Sequence, residues 1–404
     1  MVRATHRVRD GDRLVLPDYG GGSIVNVAAS ILEAFGVEPP AAPLRDELLP
    51  AGEFSGPRGT VLLVLDALGK SQLDSALASG RIPRLAQLID SAPRGAQTIT
   101  SIFPSTTTVA LNSLATASPP AVHGVLGHML WLEEFGAVVN MLNFCPIGSH
   151  SPISEVPLRR TPTTYERLAT AGIPSTLITD SAFEGTPFTN LLAEGARFMG
   201  YGGLSQIPYQ LELALEAADG PGFYSLYWPL IDTLSHYHSP DHVDNPSAAC
   251  LLEMEFIDLM VDKVAELCAR YGCALVIVAD HGQTPLLPER AVVLEGDLCR
   301  SLQQVPAGSR RVLYLDGVQM DRVSAAPELA GSVQLVVSGE EAIADNWFGG
   351  SCDGISSRIG DVIVLAGEGV QILFDYGRGT FPQSGSHAGL TSHEMCVPLI
   401  VIPQ

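Results

Sequence analysis

Four short apolar runs in this chain each stop at an aspartate: VLLVL at Asp66, STLIT at Asp180, FYSLYWPLI at Asp232 and ALVIVA at Asp280. Runs that are apolar on both faces suit strands buried in a parallel sheet with helices on either side. In an open sheet of that kind the ligand crevice lies beyond the carboxyl ends of the strands. Aspartates at several strand ends are therefore drawn toward one place. A solitary Asp after a strand is ordinarily a turn former, so the weight rests on the convergence.

The fold class this predicts is α/β: a mostly parallel central sheet flanked by helices, with a smaller inserted α+β subdomain. Buried parallel strands are expected at Thr60–Leu65, Ser175–Thr179, Gly222–Trp228, Ala274–Ala279 and Val397–Ile402. The clearest helix runs from Pro246 to Tyr271, with Asn245 as N-cap and Gly272 just past its end. Leu251, Met254, Ile257, Val261, Val264 and Cys268 recur at helical spacing and form its core face. Further on the texture changes, and short strands (Arg311–Leu315, Val333–Val337, Asp361–Ala366, Val370–Phe374) sit among Gly-rich turns. Residues 290–374 are read as the inserted subdomain, and residues 1–289 with 375–404 as the catalytic core.

Net charge decides which partners are excluded. With 23 basic against 44 acidic residues the chain carries −21, which argues against a nucleic acid polymer or an anionic membrane as partner. An anionic small molecule stays open, because bound metal ions reverse the local field. The seven cysteines are odd in number and form no CxxC, which reads as free thiols in a reducing compartment. The N-terminal segment lacks the apolar core of a signal peptide, and no uncharged apolar run of about 18 residues occurs. A cytoplasmic location is expected.

Two of the four aspartates come with histidines. Asp280 is followed at once by His281, and Asp232 and His236 lie four apart, so that one helical turn puts both on one face. His387 sits in SGSHAGLTSHEM, just before the last apolar run. Carboxylate oxygen and imidazole nitrogen are ligands that Zn²⁺ accepts at about 2.0–2.2 Å. His6, His150, His238 and His242 stand alone and read as ordinary core or surface residues. A further signal is FPSTTTVALNSLATASPPAVHG, residues 103–124. Pro104 interrupts the chain, the hydroxyls of Ser105–Thr108 follow, and a helix-compatible stretch comes next. Hydroxyls there meet free backbone N–H groups and the positive end of the helix dipole, which suits a phosphoryl group.

Taken together, VLLVLDALG, FPSTTTVALNSLATASPPAVHGVLGH, YWPLIDTLSHYHSPD, VIVADHGQT and SHAGLTSHEMCVPLIV resemble, in order, the alkaline phosphatase superfamily. The branch they are most similar to is the type I phosphodiesterase/nucleotide pyrophosphatase family. The resemblance implies two Zn²⁺ ions per chain, with Mn²⁺ as a substitute. One would be held by Asp66, Asp280, His281 and the Thr107 hydroxyl, the other by Asp232, His236 and His387. Thr107 would be the nucleophile, with Ser105 and Thr106 as alternatives in register, and His393 as the alternative to His387.

Three departures from the family pattern bear on substrate. Val109-Ala110-Leu111 replaces Pro-Asn-His after the nucleophile, and Thr116-Ala117 replaces Thr-Gly. His128 stands where the family places an Asn against the phosphoryl oxygen, and is assigned there as a catalytic residue. The implied activity is hydrolysis of a small-molecule phosphate ester, as a phosphodiesterase or nucleotide pyrophosphatase working through a phospho-threonine. Phosphomonoester hydrolysis is the alternative. No Arg lies beside the Thr107 motif, and a monoester dianion usually needs an added cation, so diesters are favoured unless a protonated His128 or an inward Lys70 supplies one. Phosphonate hydrolysis and a non-catalytic binding protein on this scaffold rank lower. The insert 290–374 and the loops would set specificity.

Overall fold

The computed structural model describes residues 14–49, 53–54, 56–153, 161–377 and 379–404. Its main sheet has seven strands: β1 (Gly59–Leu65), β2 (Ala96–Thr100), β3 (Ser175–Asp180), β4 (Arg197–Tyr201), β5 (Gly222–Trp228), β6 (Ala274–Val278) and β7 (Cys396–Ile402). The spatial order is β2-β7-β6-β1-β5-β3-β4. At its centre β1 pairs in parallel with β5 (Leu62 opposite Ser225) and with β6 (Leu62 opposite Val276). Every residue of β1, β5 and β6 is buried, as the two-sided apolar runs require.

The last strand departs from expectation. β7 runs antiparallel to both β6 and β2, with Leu399 opposite Val278 and opposite Gln97. The reason is positional. The chain crosses the carboxyl ends of the strands with His387 and must enter β7 from that end. The sequence reading also missed β2 and β4. β2 (AQTIT) is a half-buried edge strand with one fully buried residue, so its apolar signal is weak.

The helices that matter here are α1 (Thr107–Thr116), α2 (Leu230–His238) and α3 (Ala248–Tyr271). α3 begins two residues later than expected, with Ser247 rather than Asn245 at the N-cap position. Asn245 is occupied in a backbone bridge with His242. The helix ends as predicted at Gly272, whose φ of 74° suits glycine.

A second seven-stranded sheet is built from Val312–Leu315, Val333–Ser338, Val362–Ala366, the short Ala307–Gly308, and three strands from residues 129–146. The segment 290–374 therefore does not make this sheet by itself. The run Val370–Phe374 shrinks to Ile372–Leu373, which pairs with Val292–Val293 outside the sheet; the Val370 carbonyl accepts from Arg311 Nη1 at 2.7 Å instead. Alternation divides the sheet's two faces. Val312, Tyr314, Ile363 and Leu365 join the main core, while Leu313, Leu315, Val362 and Val364 form a smaller apolar cluster.

One buried ion pair ties this sheet to the His387 loop. Arg311 Nε lies 3.1 Å from Glu394 Oε1, with side chains 1% and 0% exposed. Glu394 also accepts from the Gly389 amide and from Thr391. Burial pushes the Glu394 carboxyl up, but Arg311 and these donors outweigh it and hold it below the usual range. Its stabilisation is present above the unfolded glutamate pKa and is lost as pH falls through the folded value. Arg311→Met would strand a buried carboxylate and is expected to destabilise the fold by about 3–5 kcal/mol at neutral pH. In urea denaturation that deficit should narrow on acidification.

Candidate active site

The carboxyl ends of β1, β5 and β6, met by the loop that carries His387 ahead of β7, bring two clusters together. Asp66, Asp280 and His281 form one, fully buried; Asp232, His236 and His387 form the other, half-buried. In the first, His281 Nε2 lies 3.3 Å from Asp280 Oδ2 and 3.5 Å from Asp66 Oδ1. Thr107 Oγ1 is 3.1 Å from the same nitrogen. In the second, Asp232 Oδ2 lies 3.3 Å from His236 Nε2, and Asp232 Oδ1 lies 3.6 Å from His387 Nε2. The His281 and His387 rings stack with centroids 3.8 Å apart, so the clusters adjoin.

Each ligand atom is aimed by a partner at the far end of its own side chain. His236 Nδ1 lies 2.8 Å from the Gly385 carbonyl, His387 Nδ1 2.9 Å from that of Ser105, and His281 Nδ1 3.1 Å from that of Gly282. An Nδ1–H donating to a carbonyl leaves Nε2 as the bare lone pair, the tautomer a metal needs. The carboxylates follow the same rule. Asp280 Oδ1 accepts from the amides of Ala67 and His281. Tyr227 donates to Asp66 Oδ2, and Gln283 Nε2 donates to Asp232 Oδ1. The remaining oxygens, Asp66 Oδ1 and Asp280 Oδ2, are buried without any hydrogen-bond donor. Two orphaned carboxylate oxygens and a bare imidazole nitrogen around one point fit a divalent cation.

The electrostatics agree. Burial, then Asp280 and Asp232 as neighbouring charges, drives the Asp66 carboxyl well above its ordinary value. Burial likewise pushes Asp280 up to about 6. Burial opposes ionisation of Asp232 too, but His236 beside it prevails and holds it below the carboxylate range. Burial pulls His281 down to about 4 and His387 to about 3, so both are neutral near pH 7. Backbone strain gathers here as well: Ala67 (φ 60°) follows Asp66 and Ala388 (φ 108°) follows His387.

The other sequence assignments sort by the same geometry. Ser105 Oγ donates to the Gly389 carbonyl, and Thr106 occupies the N-cap position of α1; neither is drawn to the Asp66 cluster as Thr107 is. His393 faces Ser71 and His242 instead of either cluster. Asp180 caps a 3₁₀ turn through the Ala182 amide at 2.8 Å. Lys70 pairs with Asp74. His6 lies outside the described residues. His128 is held near 4 by burial, so it supplies no cation at pH 7. Its Nε2 meets the Asn140 amide at 3.4 Å.

Two cavities flank the clusters. One, of about 300 Å³, reaches Asp66, Thr107 and Asp232 and is otherwise mainly apolar, with Leu111, Phe188 and Phe223 in its wall. The other, of about 340 Å³, reaches His236, His387, His128 and Arg310. The sequence reading missed Tyr227, Gln283 and Arg310. Gln283 was visible in VIVADHGQT; Tyr227 was concealed within an apolar strand.

A sequence profile for type I phosphodiesterase/nucleotide pyrophosphatase matches residues 60–146 and 176–390, well over half of the chain. No curated protein matches the sequence. Among solved structures, phosphonoacetate hydrolase from Sinorhizobium meliloti 1021 in complex with phosphonoformate is 19% identical, with TM-score 0.64, over 86% of this chain and 91% of that one. Murine ectonucleotide pyrophosphatase/phosphodiesterase 5, an inactive form in complex with AMP, is 14% identical, with TM-score 0.63, over 84% and 87%. The human counterpart is 15% identical, with TM-score 0.62, over 85% and 87%. At these identities the likeness is one of fold.

Protein purified without added metal is expected to carry about two divalent ions per chain. His387→Ala should drop elemental analysis to about one, since only the Asp232 cluster loses a ligand.

Proposed function

Because the chain belongs to the type I phosphodiesterase/nucleotide pyrophosphatase family of phosphoester hydrolases, within the alkaline phosphatase superfamily, we propose that it is a two-metal phosphodiesterase or nucleotide pyrophosphatase acting through Thr107. The observation that carries this reading is the set of orphaned oxygens of Asp66 and Asp280 facing His281 Nε2, with the Thr107 hydroxyl beside them. Asp66, Asp280, His281 and Thr107 would hold one ion, and Asp232, His236 and His387 the other; Zn²⁺ is the assignment that this oxygen and nitrogen donor set suits. Such ions offset the charge on the phosphoryl oxygens and lower the pKa of the Thr107 hydroxyl.

The chain's own residues do the rest. Thr107, at the first helical position of α1, presents its oxygen to phosphorus beside the helix's free N–H groups. The Thr107 Oγ1–P bond forms in line as the bond to the leaving oxygen breaks. Water then hydrolyses the phospho-threonine and restores the hydroxyl. Gln283 and the carbonyls of Gly385, Ser105 and Gly282 keep the side chains aimed throughout, so little reorganisation is needed as charge moves. The apolar cavity beside Thr107 accepts the group that stays on phosphorus.

Phosphomonoester hydrolysis is the second reading, and Arg310 is what sustains it. The cation missing beside the Thr107 motif is present in the cavity wall.

Thr107→Ala is expected to abolish turnover while leaving the fold and metal content largely intact. If Ser105→Ala is the dead variant instead, the nucleophile is misassigned. A bis-aryl phosphate should be cleaved faster than the matching aryl monoester. A monoester preference above about tenfold, about 1.4 kcal/mol in barrier, would reverse the order of the two readings.

A further inference from the structure

A helix that buries one side in the core turns polar residues to solvent on the other. The second half of α3 obeys this: Lys263 and Glu266 lie on its outer side and pair at 2.7 Å. The first half does not. Leu252, Phe256 and Leu259 are 48%, 57% and 47% exposed. Their spacing of four and then three residues sets them in one seam along the helix, in line with Lys263. A single exposed leucine needs no explanation, but a seam of this spacing is the pattern by which one helix packs on another. The helix Gln206–Glu216 packs beside α3 and adds Tyr209 and Leu213. Five of the fourteen large apolar side chains exposed among the described residues thus stand on these two neighbouring helices.

The charges around the seam select its occupant. The chain carries 44 acidic against 23 basic residues, so two copies repel each other over most of their surface. Around the seam the charges cancel locally. Arg81 pairs with Glu255, and Arg84 with Asp258 at 3.2 Å and Asp262 at 3.5 Å. Lys263 pairs with Glu266, and Arg270 with Glu212 at 2.9 Å. Four bases here meet five acids, whereas the whole chain has nearly two acids for each base. An apolar centre with an aromatic anchor and a rim of paired charges is the anatomy of a protein interface. A basic partner would gain more on the acidic remainder of the surface. A second copy of this chain gains here, where its like charges are not set against each other.

We propose that this face joins two copies of the chain into a reversible dimer across a two-fold axis at Phe256. Such a contact uses the same patch on both copies and sets the two α3 helices antiparallel. Phe256 then meets its own counterpart, and Leu252 meets the partner's Leu259. A parallel arrangement would set Lys263 against Lys263 and Glu266 against Glu266, so the charges favour the antiparallel one. One seam with its flanking helices is a small interface, and the dimer dissociates on dilution. A different side of α3 carries α2, the helix of Asp232 and His236, where Cys250 Sγ lies 3.5 Å from Ser235 Oγ. None of the three seam residues lines either cavity beside the clusters, so association is read separately from turnover.

Sedimentation velocity over a dilution series of the full chain reads the association. The unaltered protein is expected to pass from twice the chain mass to one chain mass on dilution, with a dissociation constant of about 1–100 μM. Phe256→Glu brings two carboxylates together at the axis and should weaken association by about tenfold or more. Leu252→Glu should act in the same direction, with unchanged circular dichroism confirming both folds. Phe256→Cys, oxidised with diamide, should form a disulfide-linked dimer, because the two sulfurs meet at the axis. Val305→Cys, exposed elsewhere, should not. A single chain mass at about 100 μM overturns the proposal. So does a dimer that both glutamate variants leave unchanged, and so does a Phe256→Cys protein that cross-links no faster than Val305→Cys.

Discussion

Two carboxylates with facing, donorless oxygens are buried together at the end of the central strands, and the rest of the molecule is arranged around that fact. Asp66 Oδ1 and Asp280 Oδ2 have lost water and gained no donor. Left alone, such a pair stays at least partly protonated, which is the direction both groups take. A divalent cation reverses the balance by rewarding ionisation of both. Coordination and folding are then linked, because the unfolded chain has no equivalent site. The donors that would satisfy the pair without a metal are turned elsewhere: Ala67 and His281 amides to Asp280 Oδ1, and the Tyr227 hydroxyl to Asp66 Oδ2. The protein satisfies one oxygen of each carboxylate and withholds partners from the other.

The fold supplies this at the edge where β1, β5 and β6 end, but the sheet alone places only carboxylates and His281 there. His387 comes from the opposite direction, on the loop that precedes the antiparallel β7. Its ring is fixed by the Ser105 carbonyl, in the segment that leads into α1 and Thr107. The segment that carries Thr107 and the last histidine thus position one another. Behind them Glu394 gathers Gly389, Thr391 and Arg311, so the second sheet braces the same loop from outside. Glycine is required where backbones pass at this crossing: a Cβ on Gly282 would come 2.1 Å from the His393 carbonyl oxygen.

What was legible in the sequence is what local pattern encodes. Asp66 and Asp280 follow strands whose two apolar faces announce burial, and Asp232 and His236 share one turn of α2. Thr107 lies in a hydroxyl cluster directly ahead of a helical run. Less legible was everything decided by a distant partner. Tyr227 reads as one more aromatic in an apolar strand, and its role appears only when Asp66, 161 positions away, lies opposite. The antiparallel sense of β7 is invisible in its composition, since a buried strand is apolar in either direction. The start of α3 was misjudged because Pro246 is a valid first helical residue in isolation, whereas the His242–Asn245 bridge claims the preceding backbone. Arg310 sat in a segment whose Gly-rich texture told nothing about what it faces.

The division between core and second sheet bears on how such a site acquires specificity. The geometry of the two Asp/His clusters depends on strand ends and close-packed loops, where a small displacement would carry their side-chain atoms apart. The second sheet is tied to that geometry by the Arg311–Glu394 pair, and Arg310, the preceding residue, lines the cavity that reaches His236 and His387. The Arg310 side chain is held by the Phe381 carbonyl and Gln371 Oε1, apart from the ion pair that holds the His387 loop. Arg311 is thus buried for stability while its neighbour Arg310 lines the cavity, and that cavity wall lies outside the central strands whose ends hold the two clusters.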